Sequence, residues 1–207
     1  MFDKYKYIYP PRPEKKISPN DLSLFDNGRY LAQPKLNGSC MEVYTNGKEL
    51  VVMNRHKKPL TCHIGKDELK SLHRGQGWIV LCGEYMNKGQ TDENNKKWSD
   101  NFVIFDILVH NSKHLKGTTF EERFELLETL YPNNPVKPLI HSISPNCYRV
   151  GSVYKNFESV FTDITQYQMY EGLVMKSING KLELGTTQRN NTRTQIKCRK
   201  STKNYAF

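Results

Sequence analysis

Apolar positions recur along the chain at two spacings, and the spacing switches several times. Arg29–Gln33 alternates large apolar residues with polar ones, Met41–Tyr44 resumes β-type residues, and Leu50–Met53 is a third short run. Thr45-Asn46-Gly47-Lys48 separates the last two, and Asn-Gly between β-rich runs marks a hairpin. Trp78–Cys82 and Asn101–Val109 are almost continuously apolar and predict buried strands. Further strands are expected at Glu171–Lys176 and Thr194–Arg199, with a hairpin at Asn179-Gly180 after the first. Helical spacing appears three times. Gly65–Leu72 predicts a short helix. Thr118-x-x-Glu121 reads as a capping box opening a helix that carries Phe120, Phe124, Leu127 and Leu130 and stops at Tyr131-Pro132. Val153–Tyr170 predicts a second long helix, with Phe157, Val160, Phe161 and Ile164 on one face. Pro10-Pro11-Arg12-Pro13 and Ser18-Pro19 forbid a regular helix in residues 1–20, which read as an extended arm laid on the domain. Residues 87–100 are polar and read as a surface loop. The expectation is one α+β domain over residues 1–207, built on antiparallel sheets with the helices as scaffold.

Composition adds a partner. The chain has 31 basic and 21 acidic residues, a formal charge of +10, with 12 Tyr, 9 Phe and 2 Trp distributed among them. That balance suits a polyanion. Its five cysteines, Cys40, Cys62, Cys82, Cys147 and Cys198, are widely separated and contain no C-x-x-C pair, which argues for free thiols in a reducing compartment and against a zinc site. Neither a signal peptide nor a bilayer-spanning apolar run is visible. A cytoplasmic protein with no membrane partner is expected.

Charged residues punctuate the predicted strand ends. Lys35 lies in Gln33-Pro34-Lys35-Leu36-Asn37-Gly38-Ser39, where Pro34 stiffens the approach and Gly38 lets the backbone come close to whatever Lys35 faces. That setting suits a nucleophile. The hairpin at Asn46-Gly47 returns the chain to Arg55 near the same strand, and Glu84 follows the Trp78–Cys82 strand beside Gly83. Phe105 and Asp106 fall in the middle of a buried strand, and a core role is the simplest reading of Phe105 alone. Tyr170-Glu171-Gly172-Leu173-Val174-Met175-Lys176 sets a carboxylate, a glycine, an apolar strand and a lysine in a line. Period-two alternation puts Lys197 and Arg199 on one strand face, with Ile196 and Cys198 turned to the core. Two cations on one face require an anion.

In this order the set resembles the covalent nucleotidyltransferase superfamily of ATP-dependent RNA and DNA ligases and mRNA capping enzymes, over about residues 30–200. Lys35-Leu36-Asn37-Gly38 is similar to the nucleophile motif, and Gly83-Glu84, Phe102–Ile107, Glu171–Lys176 and Lys197–Arg199 to those that follow it. The resemblance implies the adenylation-domain fold, with Lys35 attacking the α-phosphorus of ATP and holding AMP as a phosphoramidate. An ordinary lysine is neutral in only about one molecule in a thousand at pH 7.4, and neighbouring cations favour the neutral amine. Lys35, Lys197, Arg199 and Glu171 are the implied catalytic residues. Gln33, Pro34, Lys35, Arg55, Glu84, Phe105, Lys176 and Lys197 would bind the nucleotide, with Phe105 stacked on adenine and Gln33 reading its edge. Glu171 and Glu84 would hold Mg2+ or Mn2+. Two positions depart from the family: Asn37 stands where Asp is usual, and Arg199 where Lys is usual. With the chain ending at Phe207, no OB-fold is expected after Arg199. Lys35-x-Asn37-Gly38-Ser39 and the tail Lys197–Ser201, Asn204, Tyr205 are nearest to RNA ligases, so RNA ends are the first expected partner. DNA nicks are the second; capping guanylyltransfer and a non-enzymatic basic RNA-binding module are more distant readings.

Overall fold

A computed structural model describes residues 7–183 and 191–201. Residues 1–6 of the arm, and Asn204 and Tyr205 of the tail, lie outside the described residues. The arm enters as strand β1 (Arg12–Ile17), followed by a short 3-10 helix (Pro19–Phe25) capped by Ser18. Then come β2 (Tyr30–Leu36), β3 (Ser39–Thr45), β4 (Leu50–Asn54), helix α1 (Lys66–Lys70), β5 (Ile79–Tyr85), β6 (Phe102–His110) and the two-residue β7 (Lys113–His114). Helix α2 (Phe120–Leu130) leads to β8 (Pro135–Lys137), β9 (Ile140–Ser144) and β10 (Cys147–Val150), and α3 (Phe157–Thr165) to β11 (Tyr170–Ser177) and β12 (Asn191–Arg199).

These strands form two sheets, ordered β1-β12-β11-β2 and β4-β3-β5-β6-β10-β9-β8, with β7 paired to β6. The α+β class expected from the pattern is what the chain adopts, and among the described residues there is no barrel. The sheets are mixed rather than wholly antiparallel: β1 runs parallel to β12, and β10 parallel to β6. A parallel pair needs a long connection, and both have one. Pro34 is tolerated because β2 is an edge strand. Ala32 turns its N–H outward to Val153 O at 2.8 Å, so the N–H that Pro34 lacks belongs to the same outer side and no bond to β11 is lost.

Leu173, Met175, Ile196 and Ile17 of the small sheet pack with Leu22 of the 3-10 helix and Phe157, Phe161 and Ile164 of α3. Ile104 and Ile107 of β6 pack with Leu127 of α2 and Leu69 of α1. Asp106 braces α2 to the large sheet through a buried two-point pair, Arg123 Nε–Oδ1 at 2.8 Å and Nη2–Oδ2 at 3.2 Å. Several expectations shift in detail. The capping box is Thr119 with Glu122, one residue later, because the Thr118 hydroxyl donates instead to Leu115 O at 2.5 Å. Helix α3 is shorter than Val153–Tyr170: Asn156 is left-handed at φ 61°, and Val153 is taken by the bridge to Ala32. Asn179-Gly180 is a turn, with Gly180 N–H donating to Ser177 O, but not a tight hairpin; Leu182 then pairs with Thr118 and is buried. Glu84 lies inside β5, which continues through Tyr85. The 87–100 loop is tied down by Lys137, which meets Asp92 at 2.7 Å and Glu93 at 3.0 Å.

Candidate active site

Strands of both sheets line a cavity of about 630 Å3, and each residue expected to act in catalysis or to bind nucleotide or metal, Gln33, Pro34, Lys35, Arg55, Glu84, Phe105, Glu171, Lys176, Lys197 and Arg199, borders it. Strand register makes the convergence. Gly172 on β11 is level with Lys35 on β2 and with Arg199 on β12, so three neighbouring strands bring the reactive side chains into one row. A register shift beside Gly172 turns Glu171 into the cavity. Gly172 sits at φ +151°, and a Cβ there would lie 2.1 Å from Cys198 O. The glycine of E-G-L-V-x-K is therefore a packing requirement. Glu171 Oε2 is 2.5 Å from Lys35 Nζ and 3.3 Å from Arg199 Nε.

The turn after β2 carries the chain from one sheet to the other. Gly38 N–H donates to Glu84 Oε1 at 3.0 Å, and a Cβ at Gly38 would stand 2.3 Å from Tyr85 O. Only glycine allows this approach. Burial pushes the Glu84 carboxyl up to about 7; Lys35 opposes this and Glu171 adds to it. Asn37, in the position where the resembled motif has Asp, accepts from Lys88 Nζ at 3.3 Å.

Along β12, Ile196 and Cys198 are buried while Lys197 and Arg199 border the cavity. Burial holds the Lys197 amine below its usual value, and Arg199, Lys35, Arg12 and Lys16 reinforce the effect. Deeper in the cavity, Gln33 is 1% exposed, and neither its Oε1 nor its Nε2 has a hydrogen-bond partner among the described residues. Phe105 from the large sheet and Val174 from the small one both border the cavity. The ammonium of Lys176 lies 4.3 Å from the Phe120 ring centre and 5.1 Å from that of Phe105, and donates to Phe105 O at 3.3 Å. Burial pushes this amine down to about 8. Lys176 thus also fixes the ring beside it. Arg55, on the turn after β4, is exposed at the rim with its Nε 3.0 Å from His56 Nε2.

Sequence reasoning laid the arm on the domain but missed its place at the cavity. Tyr9, Pro10, Pro11, Arg12 and Pro13 form one wall of the cavity, and Lys88, Val174 and Gln195 border it too. An arginine inside a proline-rich extended segment was the available signal for the arm, since such a segment can lie across a cleft without making a helix. Among the described residues, no group of three or more His, Cys, Asp or Glu side chains is gathered as a metal site. Glu171 and Glu84 offer two carboxylates to one cavity, the hard oxygen donors that suit a divalent cation also bound by phosphates.

The two-sheet fold is that of the ligase branch of the covalent nucleotidyltransferases. The chain belongs to the ATP dependent DNA ligase domain family, whose model matches residues 15–197. Two solved structures share the fold. One is the ligase domain of LigD from M. tuberculosis, 15% identical with a TM-score of 0.65, covering 94% of this chain and 60% of that one. The other is mycobacterial DNA ligase D complexed with ATP and MES, 15% identical with a TM-score of 0.63, covering 96% and 62%. The chain therefore spans about three fifths of the length of these structures. No curated protein matches it in sequence.

Proposed function

We propose that the chain is an ATP-dependent polynucleotide ligase domain that takes AMP onto Lys35 and passes it to the 5′-phosphate of a strand, whose activated end a 3′-hydroxyl then attacks. What carries the reading is one convergence: Lys35, Glu171, Arg199 and Lys197 meet in the same cavity as a buried Gln33 amide that has no partner of its own. In the first step Lys35 Nζ forms a bond to the α-phosphorus of ATP, the bond from that phosphorus to the bridging oxygen breaks, and pyrophosphate leaves with the electron pair. Glu171, at 2.5 Å, takes the amine proton. Lys197 and Arg199 neutralise charge gathering on the α-phosphate oxygens. Gln33 accepts from N6 of adenine and donates to N1, with Phe105 and Val174 on the two faces of the base. Glu84 and Arg55 lie toward the ribose. Glu171 and Glu84 would hold Mg2+ or Mn2+, which would further screen the phosphates.

DNA nicks are the favoured substrate, supported by the family match over residues 15–197. RNA ends are the second reading, favoured by Ser39 after Lys35-x-Asn37-Gly38. The test is to incubate the chain with ATP or GTP and magnesium and locate the adduct by mass spectrometry. AMP should appear on the peptide containing Lys35 and vanish in Lys35→Ala. An adduct elsewhere, a preference for GMP, or no adduct at all refutes the assignment. Matched nicked DNA and RNA duplexes then decide the substrate.

A further inference from the structure

The arm crosses between the two sheets at the cavity. One end is fastened to the large sheet, where Tyr7 hydroxyl donates to Asn54 O at 2.9 Å and Ile8 N–H to the Tyr44 hydroxyl at 3.2 Å. The other end is β1, paired in parallel with β12 so that Lys16 is level with Lys197 and Ile17 with Cys198. Between these anchors, Tyr9–Pro13 borders the cavity, and Pro13 O accepts from Lys197 Nζ at 3.4 Å. Arg12, next to Pro13, is exposed, borders the cavity, and is close enough to Lys197 to act on its charge. Arg12, Lys35, Lys197 and Arg199 therefore gather positive charge in a cavity whose carboxylates are Glu171 and Glu84.

The order of the small sheet gives this charge a direction. Lys35 lies on β2 at one edge, and crossing β11 and β12 leads to β1 and Arg12 at the other edge. An attack by Lys35 on phosphorus expels the leaving group on the side opposite the amine. On this sheet that side faces β12 and the arm.

Resting on the proposed transfer of AMP to Lys35, we infer that Arg12 binds the β- and γ-phosphates of ATP and the inorganic pyrophosphate that departs, making the arm a working wall of the site. The reaction is Lys35 amine plus ATP giving lysyl-AMP and pyrophosphate, with the bond between α-phosphorus and bridging oxygen broken and the proton released from the amine. A guanidinium suits such a polyphosphate because it offers paired donors. No such anion takes part once AMP has moved to the nucleic acid.

The experiment compares wild type, Arg12→Ala and Arg12→Lys in three reactions: adenylylation over an ATP series, discharge of purified lysyl-AMP protein by inorganic pyrophosphate, and joining of a strand already adenylylated at its 5′ end. Arg12→Ala should raise the ATP and pyrophosphate concentrations for half-maximal rate by about tenfold or more, the scale of one lost charged hydrogen bond, with Arg12→Lys intermediate. Joining of the pre-adenylylated strand should change far less. Unchanged ATP and pyrophosphate dependence in Arg12→Ala overturns the inference. So does an equal loss in the third reaction, which would assign Arg12 to nucleic acid instead. A wild-type protein that forms no lysyl-AMP overturns the proposed function itself, and is told apart by failing before any variant is compared.

Discussion

Glu42 on β3 is fully buried beneath the arm. Its Oε2 accepts from the Tyr44 hydroxyl at 2.5 Å, and Tyr7 is a second neighbour; the thiols of Cys82 and Cys40 belong to the same cluster. Burial pushes the Glu42 carboxyl from 4.5 up to about 8, although the Tyr44 and Tyr7 hydroxyls pull the other way. A carboxyl raised by folding keeps a proton in the native state that the unfolded chain has lost. Its contribution to stability is complete below about pH 4.5 and is lost as the pH climbs toward 8. Each pH unit between those two values corresponds to about 1.4 kcal/mol, so the whole interval is worth on the order of 3–5 kcal/mol. Glu42→Gln keeps an acceptor for Tyr44 and has no proton to lose. Urea unfolding of both proteins at about pH 5 and pH 8.5 should show the variant gaining that amount over wild type between the two. Glu84, raised to about 7, titrates in the same window but is present in both proteins and cancels. A difference that stays constant with pH would show that Glu42 does not take up the proton, and the argument from burial would fail.

Three further outcomes are expected. Gly38→Ala must displace Tyr85 O, 2.3 Å from the new Cβ, and should slow lysine adenylylation by about a hundredfold in single-turnover assays; a normal rate would mean the turn shifts freely. Gln33→Leu should leave the melting temperature unchanged or raised, since a buried amide without partners costs about 1–3 kcal/mol, while the ATP concentration needed for adenylylation rises tenfold or so; undiminished use of ATP would remove the amide from base recognition. Lys197→Ala should form lysyl-AMP roughly a hundredfold more slowly, and normal adduct formation would exclude Lys197 as a partner of the α-phosphate.

Local signals carried much of the architecture. The Asn46-Gly47 hairpin, the apolar strands of β5 and β6, and the alternation along β12 that separates Lys197 and Arg199 from Ile196 and Cys198 all depend on neighbours in sequence. Thr118-Thr119 followed by Glu121-Glu122 offers two capping registers, and only the contact of Thr118 with Leu115 chooses between them. Strands β8 to β10 are three to five residues long and lie among prolines and polar residues, too short for a period to register. The left-handed Asn156 that delays α3 is a backbone choice made by packing; its N–H donates to Asp26, far away in the chain. Of the candidate site, the residue types and their order were legible through family resemblance. The arm's place was not, because the parallel pairing of β1 with β12 is decided by partners almost the whole described chain apart.

That same pairing bears on how the protein is made. Strands β3 to β6 join neighbours in sequence and can pair soon after they emerge from the ribosome. Strands β1 and β2 emerge earlier but do not pair with each other; each waits for β11 or β12, the last of the described strands to be translated. The order of synthesis thus assembles the large sheet first and closes the small one at the end. A nascent chain shorn of β12 would lack Lys197, Arg199 and the seat of the arm, so the cavity takes its full shape only after β12 has been made.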